Sequence, residues 1–522
     1  KPGPVKPRKE LLAGWKQPDA TFVMTGEMHG YIEPCGCTSG QSGGLARRAD
    51  LIRRIRGKGW PLTAVDLGGT MRRSRRQSQI KFETLLAGLR DMEYAVLGLG
   101  PEELRFGPEY LLTQNVAEST EDTRGLPFVA ANVVLFEVPG LEGGPLELRI
   151  IEAGKVKIGV TAVVGNSLKE KAIVQQGSRD LVITDPLEAL AAVVPKLEAE
   201  QPDVLLLLAH GSAEETREYA TKFPQFDLIL SAGGPEDPDD RPVWVNDGRT
   251  LLVTVGHKGK YAGVVGFYAD GDSGKKNAGG NSAAPTLPDA AEKPGAAAAE
   301  KPAPSDPSAG PKQSRFRFEL VELDQLRFDE SLVMVEHMRR YQQRLKAEKI
   351  VSQMAPIDHS SGAEFVGAER CGECHTKAFA KWKSTPHAKA FESLKHAREG
   401  AKDYGITRIY DPECLSCHVT GWHPQQVIPY SSGFINEEFA RTEDEHRRAM
   451  TLQGNQCENC HGPGSKHIQL IEDGETEMAR ALVRVTLERA RKSLCYECHD
   501  LDNSPEFKFK TYWPEVAHEG KD

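Results

Sequence analysis

The sequence predicts two domains of different class. A layered α/β domain spans residues 20–328, and a mostly α and irregular domain spans residues 363–522 and packs around covalently attached cofactors. Three observations predict this. Short apolar runs alternate with amphipathic helical patterns from residue 20 to 270, the signature of a layered α/β unit. The pattern Cys-x-x-Cys-His occurs four times, always beyond residue 370. A stretch of Ala, Pro, Gly, Ser and Lys without an aromatic, residues 270–313, interrupts the chain between two strand-like runs.

The elements follow in order. Residues 1–19 form an extension. The runs 21–26, 62–69, 94–100, 128–133, 157–165, 203–211 and 226–234 are short, rich in Leu or β-branched residues, and end in Gly or a polar turn, so they read as buried strands. Residues 45–56 and 185–200 read as amphipathic helices, the second capped by Asp185 with Pro186 following. Residues 263–270 and 315–324 are strand-like, and the composition of 270–313 between them predicts a disordered insert rather than a domain boundary. Residues 329–351 lack Gly and Pro and predict a long helix, which with the linker to 362 bridges to the last domain.

The 522 residues carry a net charge of −9, unevenly spread. Residues 1–90 hold 17 Lys+Arg against 7 Asp+Glu, a net of +10 that leaves −19 for the remainder. The runs 46–59 and 71–77 hold much of this excess. Solvated helix faces and a loop are the preferred reading, with docking to an acidic partner as the sharper one. No nucleic-acid recognition motif accompanies the charge, so a nucleic-acid partner is not expected. No run of 18 or more apolar residues is present, so no transmembrane helix is predicted. The chain opens at Lys1 without an initiator Met, which reads as a processed, exported protein.

The four motifs are Cys371–His375, Cys414–His418, Cys457–His461 and Cys495–His499. Each uses two thiols, Cys371 and Cys374, Cys414 and Cys417, Cys457 and Cys460, Cys495 and Cys498. These spacings suit thioether bonds to the two vinyl groups of a haem, with His375, His418, His461 or His499 as proximal ligand to its iron. Zinc ribbons do not require a His after each second Cys, and a redox dithiol would occur once beside a βαβ pattern. The expected cofactors are therefore four c-type haems. Seven further histidines from residue 359 onward supply candidate distal ligands: His359, His387, His396, His423, His446, His467 and His518. The count permits four bis-His haems without requiring them.

With WKSTPHAKAF (382–391), CLSCHVTGW (414–422), CENCHGPGSKH (457–467) and WPEVAH (513–518), residues 363–522 resemble the tetrahaem cytochrome c-554 family of nitrifying bacteria, related to hydroxylamine oxidoreductase. The resemblance implies stacked haems forming an electron wire. It places His387 on the third haem and His467 on the fourth. It leaves His518, His423 and His446, in that order, as candidates for the first and second. The family includes a member whose second haem lacks a protein sixth ligand, and the resemblance leaves that point open for the haem of Cys414–His418. His359 and His396 read as surface residues.

TGEMHGYIEPCGC (25–37), GGLARRADLI (43–52), VDLGG (65–69), LLLLAHG (205–211), ILSAGG (229–234) and VGHKGKYAGVVGF (255–267) resemble, in order, the landmarks of calcineurin-like metallophosphoesterases, the 5′-nucleotidase branch above all. That implies a four-layer α/β/β/α sandwich with a two-metal site at the strand ends. Glu27 and His29 stand in the Asp-x-His motif, and His210 survives. Gly69 replaces the bridging Asp, GLGPEE (98–103) replaces Gly-Asn-His-Glu, and AGGPED (232–237) replaces Gly-His-x-His. With most ligands gone, dinuclear hydrolysis is not expected. Cys35 and Cys37 read as a structural or redox-labile pair, or as thiolates joining Glu27, His29 or His210 at a single soft metal. His257 reads as a turn residue.

The leading expectation is a periplasmic or extracellular tetrahaem electron-transfer protein whose phosphoesterase-like domain docks a redox protein or membrane electron-transport complex. Alternatives are an oxidoreductase acting on a small nitrogen or sulfur compound at an open haem, and a metal-dependent phosphohydrolase.

Overall fold

The structure is a computed structural model that describes residues 10–34, 41–116, 124–172, 180–270, 315–396, 403–500, 503–504 and 507–518. Cys35, Cys37 and nearly all of the 270–313 segment expected to be disordered lie outside the described residues.

Two six-stranded sheets stack face to face. The first runs Phe316–Glu322, Tyr261–Phe267, Ala20–Thr25, Leu62–Asp66, Tyr94–Gly98 and Phe128–Val129 from edge to edge. The second runs Val243–Val245, Thr250–Val253, Leu228–Ser231, Val204–His210, Val156–Val164 and Leu148–Ala153. The near-continuous apolar runs are explained by burial on both faces. Phe22, Met24, Val65 and Val96 of the first sheet meet Ile158, Val160, Leu206 and Leu230 of the second. The opposite faces are covered by helices Leu45–Gly57 and Arg76–Asp91 on the first sheet and Pro186–Ala199 and Ala213–Lys222 on the second. Asp185 caps the helix Pro186–Ala199 as expected, accepting from the Leu187 and Glu188 amides at 2.9 and 3.1 Å. The layers are therefore α/β/β/α.

The run 128–133 is split. Asn132 turns the chain by donating to the Val164 and Thr184 carbonyls and accepting from the Val164 amide. Residues Val133–Leu135 then pair with Leu181–Ile183 outside both large sheets. The helix of 329–351 spans Leu332–Ala347. It is no free bridge, because Met334, Val335, Met338 and Leu345 pack into the helical layer of the first sheet with Leu45, Leu51 and Leu85.

Part of the basic runs is engaged within the chain, while Arg53, Lys58, Arg72, Arg75 and Arg76 stay exposed. Arg48 is buried and pairs with Asp66 at 3.1 Å. Residues 71–81 grip the carboxy-terminal segment. Arg73 donates to the Gln425 carbonyl at 2.8 Å, and Arg75 donates to those of Gln426 and Val427 at 2.9 and 3.1 Å. Gln77 and Gln342 donate to the two carboxylate oxygens of Asp411 at 2.7 and 3.0 Å. Asp411 is also the cap of helix Pro412–His418, so the second Cys-x-x-Cys-His motif is seated on the layered domain by its own helix cap. Arg408 forms a two-pronged pair with Glu33, at 2.5 and 3.1 Å. The carboxy-terminal segment keeps a small apolar cluster of its own, around Phe365, Phe391, Leu415, Trp422 and Phe434.

Candidate functional site

The four motifs fold as short helical turns, which puts thiols three residues apart on one side of each turn. In the first and fourth, the amides of His375 and His499 bond the carbonyls of Cys371 and Cys495 at 2.9 Å. None of the eight motif cysteines is paired in a disulfide. Motifs distant in sequence are brought together: the Cys371 and Cys457 side chains meet, as do those of Cys417 and Cys498. One buried carboxylate fixes the first contact. Glu458, inside the third motif, accepts from the Val366, Gly367 and Gly464 amides at 2.9, 2.8 and 2.8 Å, tying the approach to the first motif onto the third.

Three imidazole pairs stand across this region. His375 faces His467 with ring centroids 6.2 Å apart, His499 faces His387 at 5.8 Å, and His461 faces His518 at 5.8 Å. Two imidazoles bound to one metal through bonds of ~2 Å hold their centroids roughly 6 Å apart. The Nδ1 atoms of His418, His461, His467 and His518 lie 2.7, 2.7, 2.9 and 3.0 Å from the carbonyls of Ala390, Val483, Ala479 and Val516. A carbonyl only accepts, so Nδ1 carries the proton and Nε2 keeps the lone pair an iron requires. Burial pushes His387 down to about 4, and lowers His461 and His499 as well, keeping these rings neutral. These residues fit c-type haems.

The pairing corrects the expected order. His387 stands opposite His499 of the fourth motif rather than the third, and His467 opposite His375 of the first rather than the fourth. His518 stands opposite His461 of the third rather than the first. His467 follows the third motif in sequence, but Glu458 has already folded the first motif against that helix. His423 packs on Tyr430 at 6.3 Å, with its Nδ1 accepting from the Gln426 amide at 3.4 Å. His446 and His396 are exposed on their segments. His359 packs against Phe365 and Tyr430.

In the layered domain, Glu27 and His29 follow the strand Ala20–Thr25, both in left-handed backbone (φ 48° and 49°). His257 joins them. Its Nε2 lies 3.0 Å from Glu27 Oε2, and His29 Nε2 lies 4.0 Å from Glu27 Oε1. The Gly233 amide donates to Glu27 Oε2 at 3.2 Å. Burial raises the Glu27 carboxyl, but His257, His210 and His29 outweigh it and hold the group below its ordinary value. His257 is therefore a member of this cluster and not merely the turn residue its sequence context suggests. The strand Tyr261–Phe267 pairs antiparallel with Ala20–Thr25, so the loop before one meets the loop after the other. No local sequence pattern marks that pairing, which brings together segments more than 200 residues apart.

His210 is not part of this group. Its Nε2 donates to the Leu67 carbonyl at 2.8 Å. The ring fills space that glycines leave: a Cβ on Gly100 would stand 2.6 Å from His210 Cε1. Gly69 offers no side chain where a bridging carboxylate is expected. Glu103 is turned to the backbone, accepting from the Gly69, Thr70 and Gly100 amides. The residues present do not fit a dinuclear centre.

Fold and site together define a two-part chain, an α/β/β/α domain joined to a segment that carries four Cys-x-x-Cys-His motifs. Residues 370–462 match the family model described as cytochrome c554 and c-prime. Cytochrome c-554 of Nitrosomonas europaea is 34% identical over 111 residues, covering 20% of this chain and 41% of that protein. Snake venom 5′-nucleotidase of Crotalus adamanteus is 24% identical over 275 residues, 48% of this chain and 45% of its own. The chain thus spans less than half the length of either relative. Among solved structures, a 5′-nucleotidase precursor from Thermus thermophilus superposes with a TM-score of 0.47 at 18% identity, covering 65% of this chain and 61% of that one.

Proposed function

We propose that this chain is an exported electron-transfer protein carrying four c-type haems, bound at Cys371–His375, Cys414–His418, Cys457–His461 and Cys495–His499. The three facing imidazole pairs carry this reading, with His467, His387 and His518 as distal ligands to the first, fourth and third haems. Haem supplies the redox chemistry when bound. The chain's own residues orient the imidazoles, keep them neutral and bring the attachment motifs into contact, so that electrons pass along a short series of centres. Its partners are other redox proteins or a membrane electron-transport complex. The layered domain serves as a scaffold that seats the second motif through Asp411, Glu413 and Arg408, and it does not hydrolyse phosphate esters.

The placements of His423 on Tyr430 and of His446 in solvent favour a second reading, in which the haem of Cys414–His418 keeps an open position and acts on a small nitrogen or sulfur compound. One experiment addresses both. Pyridine haemochrome analysis is expected to give four covalent haems per chain, and electron paramagnetic resonance three low-spin centres that ignore nitric oxide. Fewer covalent haems, or no low-spin centre, overturns the electron-wire reading. A fourth centre that is high-spin and binds nitric oxide selects the second reading, and a fourth low-spin centre rejects it.

A further inference from the structure

The loop cluster at the strand ends of the layered domain contains a group the electron-transfer reading does not use. We propose that Glu27, His29 and His257 bind a single divalent transition-metal ion of the zinc class, in place of the two-ion centre that the rest of the pocket no longer fits.

One carboxylate oxygen and two imidazole nitrogens, one from each residue, lie within 4.8 Å of one another. Ligands on one ion with bonds of ~2.0–2.1 Å stand roughly 3.3 Å apart in a tetrahedron. The contacts of 3.0 and 4.0 Å bracket that spacing. The 4.0 Å separation of His29 from Glu27 is too long for a hydrogen bond, so the carboxylate holds His257, at 3.0 Å, and leaves His29 unbonded to it. The two rings meet edge to face, with centroids 5.3 Å apart, so their nitrogens converge instead of stacking.

The group is also held in place before any ion arrives. The Glu27 and His29 amides donate to the Gly68 and Gly69 carbonyls at 2.7 and 2.9 Å. The Lys258 amide donates to the Glu27 carbonyl at 2.8 Å, locking the segment that carries His257 to the segment that carries Glu27. Two imidazoles and one carboxylate with a remaining position for water or a small anion is a donor set that zinc accepts. His257 holds none of the ligand positions that the phosphoesterase resemblance assigns, while His210, which holds one, is turned to Leu67. The site therefore takes one ion and draws its third ligand from a different loop.

The competing description is a Glu27–His257 ion pair with a neutral His29 beside it and no metal. The test uses untagged holoprotein, stripped with a chelator, dialysed against zinc and analysed for zinc and iron in the same sample, with affinity from calorimetry. The expected result is one zinc per chain in the native protein, bound at least tenfold more weakly by His257→Ala and Glu27→Gln and equally by His210→Ala. Far-ultraviolet dichroism and the haem spectrum verify that each variant is folded, and His257→Gln serves where the alanine variant is not. The zinc X-ray absorption edge is expected to show a nitrogen and oxygen shell with two imidazoles. Zinc binding that survives the loss of His257, that is lost with His210, or that shows sulfur ligands overturns the proposal, as does the absence of stoichiometric zinc in the native protein.

Discussion

Lys81, on the second helix of the layered domain, forms an ion pair with Glu413, the residue that precedes Cys414 of the second Cys-x-x-Cys-His motif. Arg73 reaches the same carboxylate at 3.4 Å. The Lys81 side chain is 7% exposed and that of Glu413 is 36%, so the pair sits at the margin of a buried junction. Solvent on the Glu413 side places its worth well under that of a fully buried pair. Lys81→Met and Glu413→Gln are each expected to cost about 1–2 kcal/mol of stability. Because the residues touch, the double variant is expected to cost less than the sum, by roughly 0.5–1 kcal/mol. Denaturant unfolding of the four proteins measures this, and strict additivity would show that the contact does not join the domains.

The same carboxylate makes the junction sensitive to acid. Burial raises Glu413, but Lys81, Arg73 and Arg72 outweigh it and hold the group below 4.5. A folded-state value below the unfolded one means that its stabilisation is complete above the unfolded carboxylate range and is lost as pH falls through the folded value. Asp411 works in the opposite sense, since burial raises it above 3.8. Lys81 is raised above 10.5, the charge of Glu413 outweighing its burial, so its share is lost only in strong base. Stability is therefore expected to fall on acidification below about pH 4.5, and Glu413→Gln is expected to flatten that limb. An unchanged acid limb in the variant would assign it to other carboxylates.

Replacing a distal histidine should change one haem at a time. His467→Ala, His387→Ala and His518→Ala are each expected to convert one low-spin centre to a high-spin one, visible in the electron paramagnetic resonance spectrum and in new binding of nitric oxide. His359→Ala and His396→Ala are expected to leave the spectrum unaltered. A low-spin spectrum that survives His467→Ala would break the pairing with His375.

Glu458, only 3% exposed, ties the approach to the first motif onto the third through the Val366 and Gly367 amides and also accepts from its own segment's Gly464 amide. Glu458→Gln swaps one acceptor oxygen for a donor amide facing N–H groups, and the cost of an unsatisfied buried donor is about 1–3 kcal/mol. Thermal denaturation is expected to show that loss, along with a lower yield of fully haem-loaded protein. A variant as stable as the native chain would mean that the first and third motifs associate without this carboxylate.

Phosphatase activity offers a direct check on the pocket. With Mn²⁺ or Zn²⁺ added, no turnover of nucleoside monophosphates or aryl phosphates is expected, because Gly69 cannot bridge two ions and His210 is bonded to Leu67. Turnover that disappears in His29→Ala would restore a hydrolytic role.

Much of this protein is determined by its sequence alone, and the physical reason is locality. Haem attachment needs only five consecutive residues, so four copies of Cys-x-x-Cys-His carry the expectation of four haems without reference to the rest of the chain. The buried strands show themselves as apolar runs because both faces of each sheet are covered, and Asp185 announces its helix through a bond to amides two and three residues away. What only the tertiary structure decided are the contacts that close over distance. His467 reaches His375 because Glu458 folds one motif onto another. His257 reaches Glu27 because two strands far apart in sequence lie antiparallel. The basic run at 71–77 shows only its charge in the sequence, and the fold sets Arg73 against Glu413 and Gln77 against Asp411. A sequence records which side chains are present, whereas distal ligation, metal convergence and charge pairing depend on which loops the sheets and motif contacts bring within a few ångströms of one another.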